Sequence, residues 1–212
     1  MEPQNPDDVR SLPRVLRDAM RSSDAPSPDQ ILSEGARPAA VLVPVLVARD
    51  EPRLVFTKRT ETLSRHAGEI SFPGGMADPG EDLAATALRE ADEELGLAPA
   101  DVELLGSLPP VHTHVSGILV VPFVGLLHRE PRFTPNAGEI AEVLEFPLQR
   151  LIDVGEERWF EREGFRFRTH VFDVDDHVIW GATARILRSF LDVLGKVGGP
   201  VGVPEDRTDG ET

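Results

Sequence analysis

The stretch that most constrains this chain runs from residue 75 to residue 97 and reads GMADPGEDLAATALREADEELGL. Pro79 and Gly80 predict a turn, and Asp82 is a residue type that caps the start of a helix. Residues 83–95 are good helix formers and include neither Gly nor Pro. An apolar face recurs at helical spacing, formed by Ala84, Ala87, Leu88, Ala91 and Leu95. The segment therefore predicts an amphipathic helix packed on a core.

Acidic side chains crowd a neighbouring face of the same helix. Glu90, Glu93 and Glu94 are three or four residues apart, and like charges at this spacing cost roughly 0.2–0.5 kcal/mol per pair. The helix dipole also opposes negative charge near the C-terminus. Arg89 is the only cation within 83–95, so the segment by itself leaves the repulsion uncompensated. A solvated acidic face is one explanation, and we favour the other, a bound Mg²⁺ or Mn²⁺ ion that seeks oxygen ligands.

Several oxygen donors near this helix can hold such an ion. Glu90 and Glu94 lie one helical turn apart and can reach a shared ion, while Glu93 can hold a second ion or a bound water. The carbonyl of Gly74 can add a ligand, because glycine lets the backbone approach closely. We therefore predict metal ligands at Gly74, Glu90, Glu93 and Glu94, and catalytic roles for Glu93 and Glu94.

Two further charged residues are expected to orient these ligands. Arg89 can pair with one of the carboxylates and hold the helix to the preceding loop. Glu81 lies before the helix and can support the ligands from behind.

Composition narrows the range of partners. The net charge of −15 argues against non-specific nucleic-acid binding, because an acidic surface repels phosphate backbones. No apolar stretch approaches the length of a membrane span, and the polar N-terminus does not resemble a signal peptide. The chain contains no cysteine, which excludes disulfides and thiolate metal sites. We expect a cytoplasmic protein with a small-molecule substrate and no membrane partner, and the sequence leaves a homodimer open.

Apolar runs and turn signals predict an α/β sandwich with a mixed sheet. We expect an N-terminal helix and connector over 1–37, one domain over 38–196, and a disordered tail over 197–212. The predicted helices cover 7–22 with an interruption at Pro13, 83–95, a segment starting at Pro147, and 179–194. The predicted strands cover 39–48, 53–58, 102–105 and 117–127, and a hairpin covers 159–172. The predicted irregular segments are the connector 23–38, residues 60–75 and the loop 128–139.

The acidic segment resembles the Nudix box. The residues that carry the resemblance are Gly75, Glu81, Arg89, Glu90, Glu93, Glu94, Gly96 and Leu97, with Ala91 as a mild departure. The resemblance implies a Nudix-type α/β/α sandwich and metal-dependent hydrolysis of a diphosphate that links a nucleoside to another group. It also implies that the glutamates at 90, 93 and 94 are the principal metal ligands.

The segment before the box is similar to the signature of the coenzyme A pyrophosphatases within that family. Matching positions are Thr57, Arg59, Gly68 and the run Phe72-Pro73-Gly74-Gly75, and the run 179–184 is similar as well. The departures are Phe56, Thr60 and Ser64, the last standing where the pattern has arginine, with Arg65 beside it. We assign substrate binding to Arg59, Arg65, Gly68 and Phe72, because arginines beside the metal loop fit an anionic substrate.

The general base is expected after the proline-containing loop. Glu139, Glu142 and Glu145 follow it in the chain, and Nudix enzymes often place a further carboxylate in such a loop. We choose Glu139 and Glu142 as the catalytic candidates there. Among other residues, His66, His112 and His114 are expected to have structural or pocket-lining roles, and Trp159 and Trp180 are expected in the core.

The sequence thus predicts a hydrolase that cleaves coenzyme A or its thioesters to 3′,5′-ADP and 4′-phosphopantetheine or its acyl form. Two alternatives stay open at this point. One is a Nudix hydrolase of another nucleoside diphosphate derivative such as ADP-ribose, and the other is a catalytically weak nucleotide-binding Nudix domain.

Overall fold

The computed structural model describes residues 6–20, 26–61, 68–113, 117–162 and 165–196. Its helices are α1 (Pro6–Met20), α2 (Pro28–Ser33), α3 (Leu83–Leu95), α4 (Leu148–Val154) and α5 (Gly181–Lys196), with a 3₁₀ helix at Pro99–Asp101. Its strands are β1 (Arg37–Leu46), β2 (Arg53–Arg59), β3 (Ile70–Ser71), β4 (Gly74–Met76), β5 (Glu103–Ser107), β6 (Val111–His112), β7 (Ile118–Leu127), β8 (Ile140–Pro147), β9 (Gly155–Arg162), β10 (Phe165–Val174) and β11 (His177–Ile179). No helix in these described ranges is long and apolar enough to cross a membrane.

The central sheet is built around two long parallel strands. Strands β1 and β7 pair in parallel over their whole length, from Arg37 opposite Ile118 to Leu46 opposite Leu127. Strand β1 also pairs antiparallel with β2 and β4, and β2 pairs antiparallel with β8. The sheet is therefore mixed, as predicted. Strands β9, β10 and β11 form a separate antiparallel sheet.

Helices cover both faces of the central sheet. On one side, which we call the α5 face, Val43 and Val45 pack in a cluster with residues of α1, α4 and α5. On the other, which we call the α3 face, Leu42 and Leu46 pack against α2 and α3. Because β1 and β7 are buried on both sides, their sequences are nearly continuous apolar runs. This layering confirms the predicted α/β/α sandwich.

Helix α1 is an integral part of the core. Its residues Leu12, Leu16 and Met20 are buried in the cluster of the α5 face. The predicted interruption at Pro13 is wrong, since the helix continues through that residue. Proline removes one backbone hydrogen bond, and here tertiary packing of the apolar face outweighs that local loss.

Short elements occupy segments that were expected to be irregular. The connector contains α2, which begins with a capping box in which Ser27 Oγ accepts from the Gln30 amide at 3.2 Å and Gln30 Oε1 accepts from the Ser27 amide at 2.7 Å. Strand β3 and the first two residues of β4 lie within 60–75, and β8 occupies 140–147, where the sequence predicted no strand. These strands exist through pairing with β1 and β2, which are distant in sequence, so a local pattern does not predict them.

The C-terminal half confirms the hairpin and corrects its surroundings. Arg162 pairs with Phe165, and the turn residues 163 and 164 lie outside the described residues, as does the tail 197–212. The last helix begins at Gly181, because residues up to Ile179 belong to β11. The core prediction for Trp159 is wrong: the residue is 61% exposed on β9.

Candidate active site

Helix α3 presents the acidic residues at fixed positions. Asp82 caps its N-terminus, with Oδ1 accepting from the amides of Ala84 at 2.9 Å and Ala85 at 3.2 Å. Gly96 ends it in the left-handed conformation with φ of 67°, which glycine adopts without strain. The helix packs its apolar face on the sheet, so the glutamates along its edge face the neighbouring strand β4.

Two glycines of β4 let this strand lie against the glutamates. The Gly74 amide donates to Glu94 Oε2 at 3.2 Å. A Cβ atom at Gly75 would lie 2.5 Å from Glu90 Oε1. At Gly74 a Cβ would lie 2.4 Å from the Ala40 carbonyl oxygen across the strand pair. The absence of side chains at both positions therefore permits a close approach of backbone and carboxylate.

Glu94 is a buried carboxylate with few partners. The residue is 6% exposed, and among the described residues it accepts from the Gly74 amide and lies near Arg59, whose Nη1 is 3.9 Å from Oε1. Burial raises the pKa of Glu94 to about 7, opposed by the Gly74 hydrogen bond and reinforced by repulsion from Glu90. A carboxylate held in this way has a strong preference for an additional positive charge.

Arg89 compensates a large part of the acidic cluster. Its guanidinium contacts Glu81 at 2.8 Å, Glu90 at 2.9 Å and Glu93 at 3.1 Å, and donates to the Met76 carbonyl at 3.3 Å. The expectation that the acidic charge is uncompensated within the segment is therefore wrong for Glu90 and Glu93. The predicted pairing of Arg89 with the carboxylates is present. The bond from Arg89 holds the pKa of Glu81 at about 2.

The other two box glutamates differ in exposure. Glu90 is partly buried, and burial raises its pKa against the opposing effect of Arg89. The Glu93 side chain is 59% exposed, so it lies on the outer side of the cluster.

The loop 128–139 carries Glu139 to the same place. The Thr134 amide donates to the Leu95 carbonyl at 2.8 Å, and the Asn136 amide donates to the Glu94 carbonyl at 2.9 Å. The charge of Glu139 contributes to the raised pKa of both Glu90 and Glu94. Sequence reasoning missed Thr134 and Asn136, although Pro135-Asn136-Ala137-Gly138 is a turn signal.

Glu142 lies on the other face of the sheet. It is paired with Lys58, two residues along each strand from the Phe56–Leu144 pair, which packs on the α5 face. Its Oε2 lies 3.9 Å from His177 Nε2. The structure therefore separates Glu142 from Glu94, which the prediction had placed in one catalytic set.

The predicted substrate residues divide into distinct groups. Arg59 ends β2 beside Glu94, and its buried Nε has no hydrogen-bond partner. Phe72 is 2% exposed and stacks on Phe56 with ring centroids 4.5 Å apart. Aromatic packing therefore buries the ring, and the assignment of Phe72 to substrate binding stays a prediction.

The remaining predicted residues lie at or beyond the edge of the described chain. Gly68 adopts a φ of 69° beside Glu61, a left-handed conformation that suits glycine. Ser64, Arg65 and His66 lie outside the described residues, as does His114. His112 is described and exposed, and its carbonyl accepts from Arg185 at 2.9 Å.

The donor chemistry fits a hard divalent cation. Among the described residues, no three acidic or histidine side chains already converge in a metal-binding arrangement, since Arg89 holds Glu90 and Glu93. Glu94 nevertheless remains buried beside the backbone of Gly74, with Arg59 at 3.9 Å and a pKa raised by burial. Carboxylate and carbonyl oxygens are the ligands that Mg²⁺ and Mn²⁺ take.

Comparison with known proteins agrees with this fold and helix. A family model described as the NUDIX domain matches residues 36–167. An uncharacterized Nudix hydrolase, NudL, of Photorhabdus laumondii is 39% identical over 165 residues, covering 76% of this chain and 87% of the relative. NudL of Pectobacterium atrosepticum, also an uncharacterized Nudix hydrolase, is 41% identical over 156 residues, covering 71% and 79%. The fold is also similar to that of a MutT/nudix family protein from Enterococcus faecalis, with a TM-score of 0.50 and 14% identity, covering 94% of this chain and 81% of that one.

The layered fold and the carboxylate-bearing helix define a hydrolase of nucleoside diphosphate derivatives. The chain belongs to the Nudix family, whose hydrolases generally need a divalent cation such as Mg²⁺ or Mn²⁺.

Proposed function

We propose that this chain hydrolyses the diphosphate of coenzyme A or its thioesters with the help of Mg²⁺ or Mn²⁺. The proposal depends chiefly on Arg59, which belongs to the segment similar to coenzyme A pyrophosphatases and lies 3.9 Å from Glu94. The Arg59 side chain is 27% exposed, so its guanidinium can donate to a phosphate oxygen. The products are 3′,5′-ADP and 4′-phosphopantetheine or its acyl form.

In this proposal Glu90, Glu94 and the Gly74 carbonyl would hold the metal, with Glu93 on the exposed side for a second ion. When bound, a divalent cation would supply positive charge for the phosphate oxygens and activate water. The Gly74 amide and Arg59 fix the Glu94 carboxylate. Arg89 and Glu81 hold the helix to the β4 backbone through the Met76 carbonyl.

The chain supplies a base near this cluster, at Glu139. A carboxylate oxygen of Glu139 accepts a proton from the attacking water, whose oxygen bonds to phosphorus as the bridging P–O bond breaks. Glu139 suits this role because it lies within electrostatic range of Glu90 and Glu94. Glu142 is left out of the proposed set, and Phe72 supports the strand that carries Gly74 by packing on Phe56.

A substrate panel with product masses tests this function. Coenzyme A, acetyl-coenzyme A, ADP-ribose and a dinucleoside polyphosphate are incubated with Mg²⁺ or Mn²⁺ in ¹⁸O-labelled water. We expect coenzyme A or its thioester to give the highest kcat/KM, and the label to appear in one of the two phosphate products. If ADP-ribose or another diphosphate is cleaved with higher kcat/KM, the coenzyme A proposal fails and the Nudix hydrolase assignment remains.

Two matched variants of α3 distinguish a role in the active site from the general effect of removing an acidic residue. Glu94→Gln is nearly isosteric and should lower kcat by about 10²-fold or more, comparable with losing a strong electrostatic stabiliser. Asp92→Asn removes an exposed acid of the same helix and should leave turnover within about twofold. Equal losses in both variants would contradict the special role of Glu94.

A further inference from the structure

Asn136 lies at the junction between helix α3 and the residue proposed as general base. Its amide donates to the Glu94 carbonyl at 2.9 Å. Its own carbonyl accepts from the amides of Glu139 at 2.9 Å and Ile140 at 2.8 Å. Its side-chain Oδ1 accepts from the Gly138 amide at 3.1 Å. One residue thus connects the backbone of Glu94 to the backbone of Glu139.

This connection closes a tight turn whose stability depends on the asparagine side chain. An Asn side chain that accepts from the amide two residues on mimics a backbone turn, and serine does the same more weakly. The segment is also anchored on either side, by the Thr134 amide on the Leu95 carbonyl at 2.8 Å and by the Thr60 amide on the Glu139 carbonyl at 2.9 Å. The last carbonyls of α3 thereby gain the partners that a helix end lacks.

Electrostatic repulsion at this junction opposes the position of Glu139. Glu139 repels both Glu90 and Glu94, so a flexible loop would carry its carboxylate away into solvent. Holding a third acid against two others adds electrostatic energy to the fold. The hydrogen bonds of Asn136 resist that displacement, which indicates that the position of Glu139 serves the chemistry of the site.

We propose that Asn136 is a positioning residue that holds Glu139 near Glu90 and Glu94 by bracing the loop on the C-terminal carbonyls of α3. This inference rests on the proposed function, in which Glu139 accepts the proton from water. Asn136 acts through Glu139 and not on the substrate itself.

A graded series at position 136 tests the role of the side chain. Asn136→Ala removes the acceptor for the Gly138 amide but keeps every backbone contact. We expect kcat on the best diphosphate of the panel to fall about tenfold, equivalent to roughly 1.4 kcal/mol, with KM changed by less than about twofold. Asn136→Ser keeps a weaker acceptor and should give an intermediate kcat. A higher KM with unchanged kcat in both variants would overturn the proposal.

A double-mutant cycle with Glu139→Gln distinguishes positioning from general stability. If Asn136 acts through Glu139, the loss caused by Glu139→Gln should be several-fold smaller in the Asn136→Ala background than in the wild type. Additive losses would overturn the proposal. The matched control is Ser27→Ala, which removes a comparable side-chain acceptor from the Gln30 amide in α2 and should leave kcat unchanged.

Amide hydrogen exchange gives a readout that does not depend on turnover. In full-length protein, exchange at the Gly138, Glu139 and Ile140 amides should be faster in Asn136→Ala than in wild type, and unchanged in Ser27→Ala. Equal protection in all three proteins would overturn the bracing role alone. Failure of the wild type to cleave any diphosphate in the panel would instead overturn the proposed function and the catalytic purpose of the brace together.

Discussion

Glu94 is the residue at which chemistry and stability conflict. Its carboxylate is buried beside other acids, and the described part of the chain provides it with one amide donor and a cation at 3.9 Å. Such an arrangement is unfavourable in the metal-free chain, and a divalent cation bound at the proposed site would offset that cost. Functional sites commonly retain groups of this kind at the expense of stability.

The raised pKa of Glu94 predicts that Glu94→Gln stabilises the metal-free protein at high pH. Burial raises this pKa from 4.5 to about 7, so the folded state loses stability as pH rises from 4.5 through 7. One pKa unit corresponds to about 1.4 kcal/mol, which makes the ionised carboxylate cost on the order of 3 kcal/mol above pH 7. Urea unfolding in chelator should therefore show a more stable variant at pH 8.5 and little difference at pH 4.5.

The control for this prediction is Glu93→Gln, because the Glu93 side chain is 59% exposed on the same helix. It should show no comparable gain between pH 4.5 and pH 8.5. If Glu94→Gln is equally or less stable than wild type at pH 8.5, the burial of an uncompensated charge is contradicted.

Substitution of the two glycines of β4 should have different effects, one chiefly on activity and the other on stability. A Cβ at Gly75 meets the end of the flexible Glu90 side chain at 2.5 Å, so Gly75→Ala should displace that carboxylate and lower kcat about tenfold or more with little loss of stability. A Cβ at Gly74 meets backbone of β1 at 2.4 Å, so Gly74→Ala should unfold the protein at lower urea concentration. Steady-state kinetics and urea unfolding on both variants check this, and reversed behaviour would contradict the geometry.

At the scale of elements, local signals predicted α3 and failed for β8. The bounds of α3 follow from Asp82, the apolar face and Gly96, which all lie within the helix or next to it. Strand β8 reads IAEVLEFP, with acids only at 142 and 145, so it lacks the strict alternation that marks a strand and is held by its pairing with β2. Strand pairing joins segments distant in the chain, and a single sequence carries little information about it.

The contact between α1 and the sheet predicts a pH dependence of protein stability that does not involve the active site. Arg17 joins α1 to β5 through Glu103 at 2.6 Å, and this bond, with a second from His128, lowers the pKa of Glu103 to about 2. A lowered carboxyl pKa contributes stability above its unfolded value of 4.5 and loses it as pH falls towards 2. Glu103→Gln should therefore be less stable than wild type at pH 7. The difference in Tm between the two proteins should disappear as the pH falls from 4.5 to 2.

Thermal melts across this pH range measure the effect. The exposed residue Glu34 provides the matched control, since the Tm difference between Glu34→Gln and wild type should not change with pH in this way. A gap for Glu103→Gln that stays constant down to pH 2 would show that the ion pair does not couple α1 to the sheet.

At the scale of the whole molecule, the topology of the sheet determines which of the predicted site residues lie close together. Arg59, Gly74, Glu94 and Glu139 come from four separate segments, and each reaches the site through a strand, a helix or a docked loop. Glu139 and Glu142 are three residues apart, but the pairing of β8 with β2 directs Glu142 to the opposite face. The sequence offered both acids as candidates, and only the register of the sheet separates the two.

The meeting of these segments at one acidic site predicts that Mg²⁺ or Mn²⁺ stabilises the whole fold. A ligand at one hundred times its Kd adds about 2.7 kcal/mol, and each kcal/mol raises the Tm of a chain of this size by about 2–4 °C, so the Tm should rise by roughly 5–10 °C. Because the chain carries a net charge of −15, any salt screens its self-repulsion, and NaCl at equal ionic strength is the matched control. The rise should be larger at pH 8.5 than at pH 6, since protonation of Glu94, with its pKa of about 7, competes with the ion. Glu94→Gln should abolish most of it, and a rise in Tm that NaCl reproduces in full would show that the acidic helix does not bind the metal.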